Sequence, residues 1–321
     1  MTTLRFILLV SITLAANFVF AETLYVSLEK DNAIAIVDAE KQQLLKTVTI
    51  GQRPRGVQLS KDGQFLYVAV SDDDTIKVLN TESLTVVGSL PSGEDPETFV
   101  LDSSEKRVYV SNEDDNLITV IDIQEKNAIA QIPVGVEPEG IAVSRDGKWL
   151  VSASETTNMV HWIDPLGLQI VENTLVDLRP RAVAFTADSQ QLWVTSEIGG
   201  TVSIIDVSSK QIVKKLKFSV AGVSQGKIQP VGVVVDDARR WAYVALGPAN
   251  RVAVIDAQKL EISQYLLVGQ RVWNLAFSPN QTHLYTTNGV SNDISIVDLS
   301  EHKVVKSLLV GRYPWGLAVK P

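Results

Sequence analysis

Residues 51–90 read GQRPRGVQLSKDGQFLYVAVSDDDTIKVLNTESLTVVGSL, and this stretch decides the fold. Gly51 and Pro54 break the chain, and the segment SKDG supplies a hairpin turn in which Asp-Gly favours positive φ. The β-rich run FLYVAV follows, then an Asp-rich turn and the apolar runs TIKVLN and TVVGSL. The stretch therefore predicts four short antiparallel strands over residues 56–59, 65–70, 75–80 and 85–90.

The same pattern returns along the whole chain. In each copy the third run ends in an acid or amide, with steps of 42, 42, 42, 42, 50 and 42 residues: Asp38, Asn80, Asp122, Asp164, Asp206, Asp256 and Asp298. A proline recurs at the same interval, with Val272 in its place once: Pro54, Pro96, Pro138, Pro180, Pro230 and Pro314. A period of about 40 to 45 residues is the length of one four-stranded propeller blade. The chain is therefore predicted to be all-β, a seven-bladed β-propeller.

The two ends of the repeat region complete each other. Residues 311–321 begin a further copy and stop after one strand, whereas residues 23–38 start partway through a copy. Together these fragments make one whole repeat, so we expect the last strand to join the blade that the first strand begins. This N/C-terminal strand closure leaves no unpaired edge at the junction and defines one domain over residues 22–321.

The first 21 residues are predicted to be a cleaved signal peptide. Arg5 provides a positive start, residues 6–16 are largely apolar, and residues 19–21 form a small-x-small cleavage site. The apolar run is too short to span a bilayer, so no membrane span is expected. The periplasm is the expected location, with free secretion as the second choice.

Composition excludes several functional classes. The chain has no cysteine, which rules out disulfides, thiolate metal sites and covalently attached haem. The formal net charge is −8, and −9 once Arg5 is removed, which disfavours nucleic acid and anionic membranes as partners. We expect a monomer.

The repeat GxxPxGxAxSxDGxxLYVxN…NxIxVID…VVxxIxVG resembles the YVTN-type β-propeller repeat of bacterial exported and surface proteins. VGVEPEGIAVSRDGKWLVSAS (residues 134–154) is a good example, and the resemblance covers residues 22–321. Length, signal and uninterrupted copies more narrowly resemble the propeller proteins associated with pyrroloquinoline quinone (PQQ)-dependent catabolism. This resemblance implies an association with quinoprotein alcohol oxidation, and it implies no catalytic residues.

Candidate binding residues lie in the loop around each proline, which we call the prolyl loop, because these loops open together on one face of a propeller. Immediately after the proline position come Trp315, Arg55, Glu97, Glu139, Arg181, Val231 and Trp273. Immediately before it come Tyr313, Arg53, Asp95, Glu137, Arg179, Gln229 and Arg271. Closure of the ring makes Trp273 and Trp315 neighbours, and we expect Arg312 to flank them together with Arg53, Arg55 and Arg271.

Two tryptophans beside several arginines suit a flat anionic ligand, because indoles stack and guanidinium groups bind carboxylate or phosphate. The predicted binding residues are Arg53, Arg55, Arg179, Arg181, Arg271, Trp273, Arg312, Trp315, Glu97 and Glu139. PQQ or another planar aromatic anion is the candidate ligand, and no cofactor is required. In an alternative interpretation the arginines and acids neutralise each other across the pore. Calcium binding by Glu97, Glu137 and Glu139 is disfavoured because no oxygen-ligand loop accompanies them.

Two further features bear on function. Eight extra residues precede Pro230, at about residues 219–226, in a prolyl loop that could carry function or be neutral. The three histidines fall in different blade contexts and are not expected to converge, which argues against a histidine metal site or a Ser-His-Asp relay.

The sequence predicts an exported, non-catalytic binding protein, an accessory of periplasmic PQQ-dependent alcohol catabolism. Its candidate partners are a periplasmic quinoprotein dehydrogenase and a transporter component. Two alternatives stay open. One is a propeller enzyme, lactonase-like or a dehydrogenase subunit, with acid/base carboxylates such as Glu97 and Glu139 at the channel mouth. The other is a pure protein-interaction scaffold that docks through the prolyl-loop face.

Overall fold

A computed structural model describes residues 22–321, which form seven four-stranded antiparallel sheets arranged as the blades of a ring. The predicted all-β, seven-bladed propeller is confirmed. The predicted signal peptide, residues 1–21, lies outside the described residues. Among residues 22–321 there is no helix with the length and apolar character needed to cross a membrane.

The 28 strands follow the sequence repeat closely. In chain order they are β1 Thr23–Leu28, β2 Ala33–Asp38, β3 Gln43–Thr49, β4 Pro54–Leu59, β5 Phe65–Val70, β6 Thr75–Asn80, β7 Thr85–Pro91, β8 Pro96–Leu101, β9 Arg107–Asn112, β10 Leu117–Asp122, β11 Asn127–Pro133, β12 Pro138–Val143, β13 Leu150–Ser154, β14 Met159–Asp164, β15 Gln169–Leu175, β16 Pro180–Phe185, β17 Gln191–Ser196, β18 Thr201–Asp206, β19 Ile212–Lys217, β20 Val233–Val235, β21 Trp241–Ala245, β22 Arg251–Asp256, β23 Glu261–Leu267, β24 Val272–Phe277, β25 His283–Asn288, β26 Asp293–Asp298, β27 Lys303–Leu309 and β28 Pro314–Lys320. Two short 3₁₀ turns occur at Ser71–Asp73 and Gln225–Lys227.

The ring closes through blade 1, whose strand order is β28-β1-β2-β3. Strand β28 pairs antiparallel with β1, so that Thr23 lies opposite Lys320 and Leu28 opposite Pro314. The predicted closure is thereby confirmed. Blades 2 to 7 then follow as β4–β7, β8–β11, β12–β15, β16–β19, β20–β23 and β24–β27.

The core lies between neighbouring blades. The second and third strands of each blade are almost wholly buried, with Trp162 of β14 and Trp193 of β17 fully enclosed. The outer fourth strand is mostly exposed instead, so that in β7 Leu90 is buried while Val86 and Val87 are exposed. A strand covered on both faces, by contrast, carries a continuous apolar run.

The turn before each third strand carries a left-handed residue of a type that tolerates this geometry. All seven have φ between 50° and 66°: Asn32, Asp74, Asn116, Asn158, Gly200, Asn250 and Asn292. The acid or amide that ends each third strand accepts backbone N–H groups of the following turn, as Asp206 does from Ser209 at 2.8 Å. These regularly repeated acids are therefore structural.

The inserted segment lies between β19 and β20, before Pro230, as predicted. It is anchored by apolar side chains, because Phe218 and Ile228 are 0% and 2% exposed and pack in the core between blades 5 and 6. The two glycines of the insertion, Gly222 and Gly226, have no atom within 4 Å of an added Cβ and face open space. The insertion is thus a fixed loop with a free outer surface.

Candidate functional site

The prolyl loops present their side chains through a shared backbone geometry. The residue before the proline position is left-handed in six blades, with φ between 48° and 58°: Arg53, Asp95, Glu137, Arg179, Arg271 and Tyr313. The backbone N–H of each is held by the side-chain oxygen of the left-handed turn residue in the preceding blade, as Arg53 is by Asn32 at 3.1 Å and Arg179 by Asn158 at 2.8 Å. Six of the seven blades therefore position the residue before the proline in the next blade.

Close packing of the inner strands makes the ring narrow. A Cβ on Gly140 of β12 would lie 2.4 Å from the backbone oxygen of Arg181 in the next blade. Only glycine permits this approach. Glu137 and Tyr313 lie outside, but the other side chains next to the proline position meet around the axis of the ring.

They surround a cavity of about 600 Å³ that is open on the prolyl-loop face. Its walls are formed by Arg53, Arg55, Asp95, Glu97, Glu113, Arg179, Arg181, Glu197, Ile198, Gln229, Arg271 and Trp273. A smaller cavity of about 100 Å³ shares Arg181 and Trp273 with it and is lined in addition by Glu139 and Trp315. The two volumes form one site with a wide mouth and a narrow interior.

Blades 2 and 3 supply an arginine–carboxylate network. Glu97 is 1% exposed and accepts hydrogen bonds from both neighbouring arginines, at 2.6 Å from Arg53 and 2.6 Å from Arg55. Arg53 also binds Asp95 at 2.7 Å, and Arg55 lies 3.6 Å from Glu29. Arg53 and Arg55 therefore act on the same carboxylate.

Blades 4 and 5 supply a second and more deeply buried network. Arg181 contacts Glu155, Glu139 at 2.7 Å and Glu197 at 3.8 Å. Burial raises the pKa of Glu139 well above its usual value against the opposing charge of Arg181, and its hydrogen bond with Glu155 adds to the rise. Burial also opposes ionisation of Glu155, but the hydrogen bond from Glu139 and the nearby Arg181 and Arg179 hold its pKa below the usual value. Glu139 and Glu155 are thus an acid–carboxylate pair that shares one proton.

Glu113 differs from the other carboxyl groups because no guanidinium group lies within ion-pair distance of it among residues 22–321. Burial raises its pKa to about 8, and the charges of Glu97, Glu155 and Asp95 add to the rise. At neutral pH it is therefore a carboxylic acid that faces the wide cavity. Oxygens of Asp95, Glu97 and Glu113 lie within 4.8 Å of one another, a spacing that could hold a metal ion, but Arg53 already supplies a positive charge to two of the three.

The two predicted tryptophans both reach the narrow interior. The guanidinium group of Arg55 lies 5.3 Å from the ring centre of Trp315, and that of Arg271 lies 4.2 Å from the ring centre of Trp273. Arg312 lies apart from this group, which corrects its predicted position. Its Nε binds Asp31 at 2.5 Å and its side chain is 68% exposed, because position 312 precedes the left-handed residue and faces outward.

The sequence analysis did not single out the residue that follows the second strand of each blade, which lies on the same face of the ring as the prolyl loops. Around the ring from blade 1 these residues are Glu29, Ser71, Glu113, Glu155, Glu197, Gly247 and Gly289. The signal was present, since these positions keep the 42-residue period with the single 50-residue step. Four glutamates recur in register at the first residue of the turn after the second strand, next to the prolyl loops; the Glu113 N–H, for example, donates to the backbone oxygen of Asp95 at 3.0 Å.

Buried polar atoms without a hydrogen-bond partner concentrate in this cavity. Of fifteen such atoms in the described part of the chain, seven are nitrogens of cavity residues: Nε of Arg53, Arg55, Arg179, Arg181 and Arg271, and Nε1 of Trp273 and Trp315. Buried polar groups are normally satisfied. This concentration indicates a site built to receive a polar ligand.

The histidines do not converge. His161 is buried in blade 4, where its Nε2 accepts the Gly135 N–H at 2.9 Å and burial lowers its pKa. His283 and His302 line a groove at the strand ends opposite the prolyl loops. The expectation that no histidine serves the central cavity is consistent with its walls.

Comparison with known families gives two matches. The model of the choice-of-anchor I domain matches residues 124–309, which is more than half of the chain, and that of the seven-bladed β-propeller lactonases matches residues 23–132. The protein is thus a member of a β-propeller class. Specifically, the chain belongs to the choice-of-anchor I domain family. No curated protein matches it.

Solved structures share the fold at low sequence identity. A chain of the Kuenenia stuttgartiensis hydrazine synthase aligns with a TM-score of 0.79 and 21% identity over 87% of this chain and 92% of that chain. A Bacteroides fragilis protein with the provisional name 6-phosphogluconolactonase aligns with a TM-score of 0.79 and 17% identity over 95% of this chain and 99% of that chain. A protein of unknown function from Desulfotomaculum acetoxidans aligns with a TM-score of 0.77 and 16% identity over 92% and 98%. At these identities the likeness establishes the fold alone.

These comparisons correct the principal functional prediction. A non-catalytic accessory of PQQ-dependent catabolism is wrong, because the lactonase model matches residues 23–132 and two similar structures carry the provisional name 6-phosphogluconolactonase. The findings favour the alternative that the sequence left open, a lactonase-like propeller enzyme. The narrower resemblance to the PQQ-associated propeller proteins has no support among them.

Proposed function

We propose that the protein is a lactonase-like hydrolase whose active site is the central cavity on the prolyl-loop face. The observation that carries this proposal is Glu113, a protonated carboxyl group without an ion-pair partner, beside other carboxyl groups and guanidinium groups in one 600 Å³ cavity. Glu113 also lies within the residues matched by the lactonase model. A buried carboxyl group whose pKa is raised to about 8 is suited to donate a proton at neutral pH.

Hydrolysis of a lactone adds water across the ring ester. The carbonyl carbon gains the hydroxyl group, its bond to the ring oxygen breaks, and the ring oxygen takes up a proton. Glu113 supplies that proton as general acid. Glu197, whose contacts with Arg179 and Arg271 are both 3.2 Å, is the carboxylate available to accept a proton from the attacking water.

Guanidinium groups stabilise the negative charge that develops on the carbonyl oxygen. Arg55 and Arg181 are largely buried, and each keeps an Nε without a hydrogen-bond partner. Fixed donors in a site shielded from water stabilise a developing oxyanion more strongly than water does. Glu139 and Glu155, which share one proton, hold Arg181 in place at the boundary between the two cavities.

The test is hydrolysis of five- and six-membered lactones by the purified protein, followed by proton release with a pH indicator. We expect kcat/KM to fall as the pH rises through about 8, because Glu113 then loses its proton. Spontaneous hydrolysis changes in the opposite direction, since hydroxide accelerates it. Glu113→Gln should lower kcat by about 100-fold or more, whereas Glu94→Gln, an exposed acid on the same face, should not change it. Turnover no faster than the spontaneous rate on every lactone would end the proposal.

A further inference from the structure

The central cavity is electrically polarised, and this polarity specifies the class of substrate. Resting on the proposed function, we propose that the substrate carries a carboxylate or phosphate group. Arg271 binds this group, and Trp273 stacks against the adjoining ring of the substrate. Gln229 leaves Arg271 free to bind it, because Gln229 carries no charge. Blades 6 and 7 form this end of the cavity. The acid end is formed by blades 3 and 4, on the other side of the ring.

Arg271 is distinguished by its partners. The cavity has four other arginines, and each of them contacts at least two carboxylates, as Arg53 contacts Asp95 and Glu97. Arg271 contacts one, Glu197 at 3.2 Å, and its second hydrogen bond goes to a neutral amide oxygen, Gln229 Oε1 at 3.0 Å. Burial lowers the pKa of Arg271, and Glu197 offsets this only in part. A partly buried guanidinium with incomplete compensation gains most from an anionic ligand.

The blades around Arg271 have lost the carboxylates that the repeat provides elsewhere. Where blades 1, 3, 4 and 5 carry a glutamate after the second strand, blades 6 and 7 carry Gly247 and Gly289. A Cβ on Gly289 would lie 2.6 Å from Trp273 Nε1, so glycine is what gives the indole its space. Glycine at these two positions therefore adds no negative charge near Arg271, and at position 289 it leaves room for the indole ring of Trp273.

The insertion completes this end of the cavity through Gln229. The equivalent positions of the other blades carry charged residues or, once, tyrosine, whereas Gln229 is neutral. Its Nε2 donates to the Gly226 backbone oxygen at 3.0 Å, which turns its Oε1 toward Arg271. Because Phe218 and Ile228 anchor the loop in the core, this orientation is fixed. The insertion thus acts as a specificity element.

The position of Arg271 also orients the substrate. With the anionic group held between blades 6 and 7, the ring of the substrate extends across the cavity toward Glu113 in blade 3. A charge at Arg271 and a proton donor at Glu113 then act on opposite ends of the same molecule. Such two-point binding selects molecules by the distance between their anionic group and their ring ester.

Binding is tested with benzoate and with benzamide, its neutral counterpart of similar shape, by tryptophan fluorescence. Benzoate should bind about 10-fold or more tightly than benzamide. Gln229→Glu places a carboxylate against Arg271 and should weaken benzoate binding about 10- to 100-fold without affecting benzamide. Gln270→Glu, which adds the same charge at an exposed neighbouring position, is the matched control and should have little effect. Displacement of benzoate by inorganic phosphate would identify phosphate as the preferred group, and its failure would identify carboxylate.

Equal binding of benzoate and benzamide, no binding of either at millimolar concentration, or benzoate binding that survives both Gln229→Glu and Arg271→Gln would overturn the inference. The outcome is distinguishable from failure of the proposed function. Anion binding with this variant pattern but without lactone turnover contradicts the hydrolase alone. Turnover of neutral and anionic lactones with equal kcat/KM contradicts the Arg271 inference alone.

Discussion

Replacing Arg181 by methionine should destabilise the protein far more than the loss of an ordinary surface ion pair. The Arg181 side chain is 10% exposed and contacts three carboxylates, Glu139, Glu155 and Glu197, whose side chains are 9% exposed or less. Methionine keeps much of the packing but leaves these groups without their shared counter-charge. Removing one partner of a buried ion pair costs about 3–5 kcal/mol, a large share of the stability of a typical domain.

The pH dependence of this loss follows from the shifted pKa values. In the native protein the folded-state pKa of Glu155 is lowered, so its contribution to stability is present above the unfolded pKa of about 4.3 and is lost as the pH falls. Without Arg181 that contribution is reduced to what Glu139 and Arg179 supply, and the ionisation of Glu139, already opposed by burial, becomes more costly. The difference between wild type and variant should therefore be larger at pH 8 than at about pH 3, which lies below the unfolded pKa of glutamate.

Urea unfolding followed by tryptophan fluorescence at both pH values measures this difference. The matched control is Arg239→Met, because Arg239 pairs with Asp188 at 2.9 Å on the surface, where both side chains are more than a third exposed. A surface pair contributes at most about 1 kcal/mol. The reasoning is refuted if Arg181→Met and Arg239→Met cost the same, or if the Arg181→Met loss does not change with pH.

Three further changes test the frame that holds the site. Asn158→Ala removes the acceptor of the Arg179 N–H and should lower the free energy of unfolding by about 1–3 kcal/mol, measured by urea unfolding; no change would mean that the blade-to-blade contact is dispensable. Trp162→Ala should cost about 3–5 kcal/mol in the same assay, because the indole is fully buried, and a loss below 1 kcal/mol would contradict its place in the core. Deleting residues 314–321 removes the strand paired with β1 and should make residues 22–38 rapidly cleavable by protease, whereas unchanged resistance would contradict closure by this strand.

Much of the fold was predictable because it depends on a period rather than on single residues. The spacing of residues such as Asp38 and Asp122 fixed the number of blades, and Asn32 or Asn158 marked turns that require a left-handed residue. Seven copies of each signal average out local ambiguity. The closure was equally accessible, because residues 311–321 supply the strand that the first copy lacks.

The candidate site was predictable in its location but only in part in its chemistry. The prolyl loops do meet at one cavity, yet Arg312 turns outward to Asp31, a difference set by one left-handed backbone residue that spacing does not reveal. The raised pKa of Glu113 depends on burial and on acids from other blades, so only the folded structure shows it. Similarly, Gln229 matters because it is neutral. Its Oε1 accepts a hydrogen bond from Arg271 without placing a negative charge beside it.

The hydrogen bond that six of the seven turn residues make to the following blade separates scaffold from chemistry. Asn32 holds the backbone of Arg53, Asp74 that of Asp95 and Asn292 that of Tyr313, whatever side chain the recipient carries. The recipient can therefore be exchanged for a basic, acidic or aromatic residue while its main chain keeps one course. The ring therefore has several positions at which the side chain can change while the backbone stays the same. New binding properties can arise there by replacing one residue at a time, without a change in the surrounding fold.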